Sequence, residues 1–491
     1  MSVRNYTTLR DYIEANRCVT EEYTDVTLPL LEGSLPTGLL GTLYRNGNGR
    51  FEHQGVLYDH LFDGDGMIAR FTFDETGVRY RNRYVRTAEF VEEEKAGRML
   101  YRSFGTNIPG GMWKNIMNFK FKNTANTSVV WHGGKLLAMW EGGLPHLIDP
   151  DTLDTIGRYD YDGVLRNSFS WLDRQIMPEL PFSAHPKIHP TTGVLHNFGT
   201  VPGTKQRLVL YEVDPAGRAR ISKTVEMPSV IFAHDFVLTQ SGHRIFFLPP
   251  VAFDMLRTFA GITSPAASMR VDRSSQTTVL IVAPDGQEYR LKTHFGFVFH
   301  YVNGYQDADG TLVVDALRMS DYPESPGMKE YLAGNISDDT DMARFVRYRI
   351  NLTTQTVVHE ELSDYQGELP EIHPNRVGQP YQYTWTIGRP AVHSMPLLDH
   401  IVKLNVQTGE GCHAYETDTL PSEPIVVPRP GSTREDDAWL LYIRFHAPSQ
   451  TTDLLVADAE DLKTIARLRL PHNIPLGFHG LWLDDSAVAP Y

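Results

Sequence analysis

The stretch TVLIVAPDGQEYRLKTH, residues 278–294, carries the pattern that decides the fold. An apolar run through Val279, Leu280, Ile281 and Val282 stops at Pro284-Asp285-Gly286. Tyr289 and Leu291 then alternate with Glu288, Arg290 and Lys292. A β-branched run, an Asp-Gly turn and an alternating run spell two antiparallel strands joined as a hairpin. The same grammar recurs in DGTLVVDALRM (309–319), ARFVRYRINLTTQTVVHEEL (343–362), HIVKLNVQTGEGCHAYE (400–416) and DAWLLYIRFHAPSQTTDLLVADAEDL (437–462). Followed outward, it extends from near residue 40 to the end with no linker or low-complexity break. Residues 1–491 therefore read as one domain, with 1–35 as an N-terminal arm.

Hairpin after hairpin predicts an all-β fold. A propeller of four-stranded blades closes that many strands without exposed edges. No repeat of about 40–50 residues is visible, so uneven blades are expected rather than a WD or kelch array.

Of the 491 residues, 41% are hydrophobic, enough for a sizeable core. Lys plus Arg total 46 and Asp plus Glu 60, a net charge of −14. That balance argues against a nucleic-acid partner, because phosphate contacts need a basic surface. The two cysteines, Cys18 and Cys412, form no CxxC pair and fit a reducing cytoplasm. MSVRNYTTLRDYIEANRC (1–18) lacks the apolar core of a signal peptide, and no run of about 18 apolar residues occurs. A cytoplasmic chain without a membrane span is expected.

One segment departs from the acidic background. Between Glu94 and Glu141 there is no acid, while Lys95, Arg98, Arg102, Lys114, Lys120, Lys122 and Lys135 are present. Inside lies IPGGMWKNIMNFKFKN (108–123). Helical spacing sets Met112, Trp113, Ile116, Met117 and Phe119 on one arc, with Lys114, Asn115 and Asn118 opposite. A basic-flanked Trp- and Met-bearing helix suits a membrane interface, which makes 102–123 a membrane-facing segment and the protein a peripheral one. The same pattern suits a helix packed on the protein body.

There are 19 histidines and no HExxH. Four sit in short apolar runs: His185 in PFSAHP, His234 in IFAHDF, His300 in GFVFHYVNGY and His479 in PLGFHGLW. A buried imidazole needs a partner, so these four stand out as candidate ligands. His132, His243 and His413 adjoin turns and are expected in solvent. His189 and His373, in IHP sequences, are expected to be structural.

The ordered motifs GTLYRNG (41–47), FDGDGM (62–67), VEEEKAGRMLYR (91–102), NTANT (123–127), LLAMWEGGLPH (136–146), SAHPKI (183–188), AHDF (233–236), FVFH (297–300), EPIVVPRPG (423–431) and FHGLW (478–482) span nearly the whole chain. In this order they resemble the carotenoid cleavage oxygenases, especially the bacterial apocarotenoid oxygenase branch. The resemblance implies a seven-bladed β-propeller with a helical and loop dome over an axial iron site. It implies one Fe2+ per chain, held by His185, His234, His300 and His479, with O2 as cosubstrate. Glu141, Glu368 and Glu423 match carboxylates that accept hydrogen bonds from ligand imidazoles; His185 matches the ligand without one. Four neutral imidazoles leave the iron charge unbalanced, which such carboxylates offset. Thr127 matches a threonine near a vacant coordination position, where it would restrict what binds.

Phe104, Trp140, Phe232, Phe299 and Leu369 are the expected substrate-binding residues, Phe104 by resemblance and the others as apolar neighbours of the site. Stilbene-cleaving relatives hold a phenol with Tyr and Lys at the positions of Phe104 and Trp140. Their absence implies an apocarotenoid polyene, cleaved at one double bond to two carbonyl products without an external reductant. Expected partners are this apolar polyene and a membrane surface, with no obligate protein partner. Three alternatives stay open: stilbene cleavage, retinoid isomerohydrolysis, and a propeller that binds a carotenoid without catalysis.

Overall fold

The hairpin of residues 278–294 forms as the sequence predicts. Thr277–Val282 pairs antiparallel with Glu288–Thr293, placing Ile281 opposite Tyr289, and Gly286 turns the chain at φ 86°. The computed structural model describes residues 14–118, 120–229, 231–322, 342–391 and 397–485.

Among the described residues six sheets of four to seven strands form a ring of seven blades, the seven-stranded sheet supplying two of them. Blade I contains Gly41–Arg50, Asp65–Asp74 and Gly77–Tyr84. Blade II runs from Ser128–His132 through Lys135–Met139 and His146–Ile148 to Thr155–Arg158. Blade III is Lys187–Ile188, Leu195–Val201, Gln206–Val213 and Ala219–Met227. Blade IV is Val237–Leu238, Arg244–Leu248 and the opening hairpin. Blades V and VI share the 17-residue strand Thr356–Ile372. Its first half pairs with Arg344–Asn351 and its second half with Tyr383–Arg389, and a bulge between Glu368 and Glu371 interrupts the second pairing. Blade VII is built on Ile425–Pro428, Ala438–His446, Thr451–Asp458 and Thr464–Arg469. The C-terminal strand Gly480–Asp484 returns to pair with Gly41–Arg50 and becomes the innermost strand of blade I, closing the ring.

Face-to-face blade packing explains the apolar run in the opening hairpin. Val279 and Ile281 join a cluster with Leu312, Val314 and Val346 of blade V. Leu280 and Val282 point the other way, into a cluster with Phe198, Leu208 and Leu210 of blade III. A strand buried on both faces loses the polar alternation of a half-exposed one. Each buried Leu or Ile contributes about 1.5–3 kcal/mol.

The loops between blades carry the cap over the ring. Among the described residues its helices are short: Ala88–Ala96, Met112–Asn115, Trp171–Ile176 and Met255–Phe259. None is long and apolar enough to cross a membrane. Cys18 and Cys412 are free thiols.

Two expectations are corrected. The helix expected within 108–123 is a single turn, Met112–Asn115. The Asn115 side chain folds back onto Ile108 and the Gly111 carbonyl, and Met117 takes a left-handed φ of 51° that ends any helix. Asn115 is buried, whereas Met112, Trp113, Ile116 and Met117 are exposed, Trp113 to 81%. Phe119 lies outside the described residues. Second, His132 and His243 are buried rather than solvated: His132 Nε2 meets the Gly193 carbonyl at 2.9 Å, and His243 Nδ1 meets Ser241 Oγ at 2.9 Å. Turn residues here pack against neighbouring turns. His413 is exposed beside Tyr365, and His189 and His373 serve turns through backbone hydrogen bonds.

Candidate metal centre

The four candidate histidines stand at or beside four innermost strands. His185 precedes Lys187–Ile188, His234 precedes Val237–Leu238, His300 lies within Phe297–Gln306, and His479 immediately precedes Gly480–Asp484. Sequence-distant blades thus deliver them to one point. One ring nitrogen from each lies within 4.8 Å of the other three. His185 Nε2 is 3.0 Å from His234 Nε2, which is 3.2 Å from His300 Nε2.

Carboxylates hold the outer edges of the rings. His300 Nδ1 meets Glu368 Oε2 at 2.6 Å, and His479 Nδ1 meets Glu423 Oε1 at 2.7 Å. Glu141 Oε1 is 3.4 Å from His234 Nδ1, longer than the other two contacts, and Glu141 Oε2 accepts from Ser183 Oγ at 3.3 Å. His185 has only a 3.9 Å approach of its Nε2 to Glu141. An Nδ1 proton donated outward leaves the Nε2 lone pair facing inward. Converging lone pairs repel one another unless a cation lies between them, so this donor set fits a metal ion. All-imidazole donors of this kind suit a transition metal such as iron.

The electrostatics agree. Burial, then the neighbouring imidazoles, holds His185 and His234 well below the usual histidine range. Burial also acts to lower His300, but the carboxylates around it, Glu368 foremost with Asp235 and Glu423, together outweigh it and the ring sits above its ordinary value. Burial pushes Glu141 up to about 8. Bringing a cation into the cluster would favour its ionised form.

Asp235 ties the ligand segments together. Its carboxylate accepts the Phe236 amide at 2.7 Å, the Tyr301 amide at 3.1 Å and Lys187 Nζ at 2.8 Å. It thereby joins the neighbours of His234, His300 and His185. Arg45 is fully enclosed and donates to the Glu423 carbonyl at 2.9 Å. Leu369 sits at φ 54°, a costly conformation for a residue other than glycine, and its amide donates to Glu368 Oε2 at 3.1 Å. That kink lies within the bulge of the shared strand.

The remaining expected residues divide. Thr127 lies beside the cluster: its carbonyl accepts the His479 amide at 3.3 Å, and its hydroxyl meets Asn126 at 3.2 Å. Phe299 packs 5.5 Å from the His234 ring, and Phe232 packs on Phe297 and Phe299. Trp140 lies over Gly142, where a Cβ would come within 2.8 Å of the indole. Phe104 touches no candidate ligand ring directly; it packs against His60 and Phe62. Phe62 in turn meets Phe299 at 6.4 Å and Phe478 at 5.8 Å. Sequence reasoning passed over His60, Phe62, Asp235 and Phe478, although three of the four lie inside the quoted motifs and His60 lies two residues before one.

Comparison with known proteins places this geometry. The family model for retinal pigment epithelial membrane protein matches residues 16–484. The apocarotenoid-15,15'-oxygenase of Synechocystis sp. is 33% identical, over 98% of this chain and 97% of its own. The lignostilbene-alpha,beta-dioxygenase isozyme III of Sphingomonas paucimobilis is 28% identical, over 93% of this chain and 94% of its own. A crystal structure of cobalt-substituted Synechocystis ACO aligns with a TM-score of 0.89 at 32% identity, covering 98% of this chain and 100% of that one. Ring closure, four converging histidines and a match over almost the entire chain lead to one conclusion: this protein belongs to the retinal pigment epithelial membrane protein family, the carotenoid cleavage oxygenases.

Proposed function

We propose that this chain is an Fe(II)-dependent dioxygenase that cleaves one carbon–carbon double bond of an apocarotenoid. The observation that carries the reading is the inward convergence of four Nε2 atoms while carboxylates occupy the outer edges of His300 and His479. His185, His234, His300 and His479 would hold the metal, which would supply the activation of O2.

The protein's own part is placement and exclusion. Glu368 and Glu423 keep the Nδ1 protons of their partner rings, so the imidazoles stay in the binding tautomer. Phe62, Phe299 and Phe478 form an aromatic wall against which a flat chain can lie. Thr127, tied to the His479 backbone, narrows the space beside that ligand. The balance is simple: an alkene and O2 give two carbonyl compounds. All atoms and electrons stay in the products, so no reductant or acid–base residue is required.

Phe104 and Trp140 offer no phenol-binding Tyr–Lys pair, which favours the polyene over a stilbene. A polyene partitions into membranes, and the exposed Trp113, Met117, Leu256 and Ile262 support peripheral docking there. Met117 N–H bonds the Phe259 carbonyl at 2.8 Å, so the two exposed loops are joined.

The test is incubation of iron-loaded protein with apocarotenals and with hydroxystilbenes under labelled O2. Two aldehydes from the polyene, each carrying label, are expected. Cleavage of stilbenes alone would favour the stilbene reading, and no O2 uptake with either would leave a binding protein.

A further inference from the structure

One polar edge in the aromatic wall is not used by the reading above. His60 caps the turn Leu61–Asp63, and its Nδ1 accepts the Phe62 amide at 3.1 Å. With Nδ1 an acceptor, the ring proton sits on Nε2. Burial holds His60 down to about 4, so the ring is neutral near pH 7. The ring stands edge-on to Phe104, with centroids 5.3 Å apart at 87°, and lies 4.8 Å from Phe62. Phe62 meets Phe299 and Phe478, the immediate neighbours of His300 and His479. A neutral donor therefore stands two ring contacts from the residues beside the metal ligands, a distance of several double bonds along a polyene.

Nearby polar groups are already occupied. Asp63 accepts the Gly105 amide at 3.0 Å and Thr106 Oγ1 at 2.5 Å. Among the described residues the one hydrogen bond of the His60 ring is that at Nδ1. His60 is partly buried, and its Nε2 is not among the enclosed polar atoms, so this N–H edge is reachable and suited to an incoming oxygen.

We propose that His60 Nε2–H binds the terminal carbonyl oxygen of an apocarotenal and so fixes which double bond lies at the metal. The proposal rests on the polyene reading above. It makes His60 a specificity-determining residue rather than only a turn cap.

Two variants separate these roles. His60→Asn keeps a capping oxygen for the Phe62 amide but lacks Nε2; His60→Phe keeps a ring and removes both nitrogens. The first readout is the visible band of an apocarotenal bound under anaerobic conditions, because a hydrogen bond to a conjugated carbonyl moves that band to the red. Wild-type protein should show the shift and both variants should lose it. In turnover, both variants should raise KM about fivefold to tenfold with little change in kcat, and spread cleavage over adjacent double bonds. A hydrocarbon polyene of equal length should not distinguish the three proteins. Retention of the shift and of a single product pair in both variants would overturn the assignment. If the wild type cleaves no polyene, the functional reading itself fails; if it cleaves one and the variants match it, only the role of His60 falls.

Discussion

Glutamine in place of Glu423 should damage the metal centre more than the same change at Glu368, although both carboxylates face a candidate ligand. The difference lies in how their oxygens are used. Glu423 divides the work: Oε1 takes His479 Nδ1 at 2.7 Å and Oε2 takes the Gly480 amide at 2.8 Å. Glutamine has one acceptor oxygen. If it serves His479, its NH2 group faces the Gly480 N–H, leaving a buried donor unsatisfied at about 1–3 kcal/mol. If it serves Gly480, its NH2 group faces His479 Nδ1, which must then accept, and the ring proton moves to Nε2 where a metal would bind. At Glu368 both donors, His300 Nδ1 and the Leu369 amide, meet the same oxygen, Oε2. Oε1 is buried without a hydrogen-bond partner, so an amide can keep both bonds while its NH2 group takes a position already unsatisfied in the wild type, and the net change is chiefly the lost charge. Charged hydrogen bonds are about twice as strong as neutral ones, which limits the cost to roughly 1 kcal/mol. Metal affinity, read by competition of Co2+ or Fe2+ with a chelator, should fall about 10–100-fold for Glu423→Gln and less than about tenfold for Glu368→Gln. Equal losses, or a larger loss at Glu368, would refute this account of the tautomers.

Three further outcomes are expected. Asp235→Ala strands the Tyr301 and Phe236 amides and Lys187 together, so it should lower stability by about 2–5 kcal/mol and weaken metal binding; an unchanged melting temperature would remove Asp235 as the tie between ligand strands. Burial pushes Asp63 up to about 7 from 3.8, so the folded state holds a proton that the unfolded state has lost, and stability declines as pH rises through this window. Asp63→Asn should therefore gain about 2 kcal/mol on wild type between pH 5 and 8, whereas parallel stability curves would contradict the assignment. Trp113→Ser with Met117→Ser should reduce sedimentation with liposomes while sparing turnover of detergent-dispersed substrate; unchanged sedimentation would return that loop to ordinary surface.

The fold was readable wherever local chemistry and long-range packing agree. The opening hairpin announces itself because Pro284-Asp285-Gly286 must turn and its first strand is apolar on both faces, as blade packing requires. Apolar settings narrowed the nineteen histidines, and the ordered motifs that carry the family resemblance picked out the four that converge in the structure. The helix expected within 108–123 is cut to one turn for a physical reason. The spacing mimics a helix, but Gly110 and Gly111 both take positive φ and Asn115 satisfies backbone groups that a helix would have used. Periodicity offered both an outward and a packed apolar side and could not choose between them; in the structure Met112, Trp113, Ile116 and Met117 are exposed. Asp235 was hidden because its importance is a register effect: nothing local says that one carboxylate will meet the backbone of a strand 66 residues away. His60 was hidden because an aspartate and a leucine flank it, which makes it resemble a surface residue.

The closing strand has a consequence for the order of assembly. His479 enters the site immediately before the strand Gly480–Asp484 that completes blade I. A nascent chain that stops short of this strand can gather at most three of the four imidazoles and leaves the ring open. Metal uptake at full affinity must therefore wait until this strand has paired with Gly41–Arg50. A metal held by all four imidazoles then reports that blade I has closed.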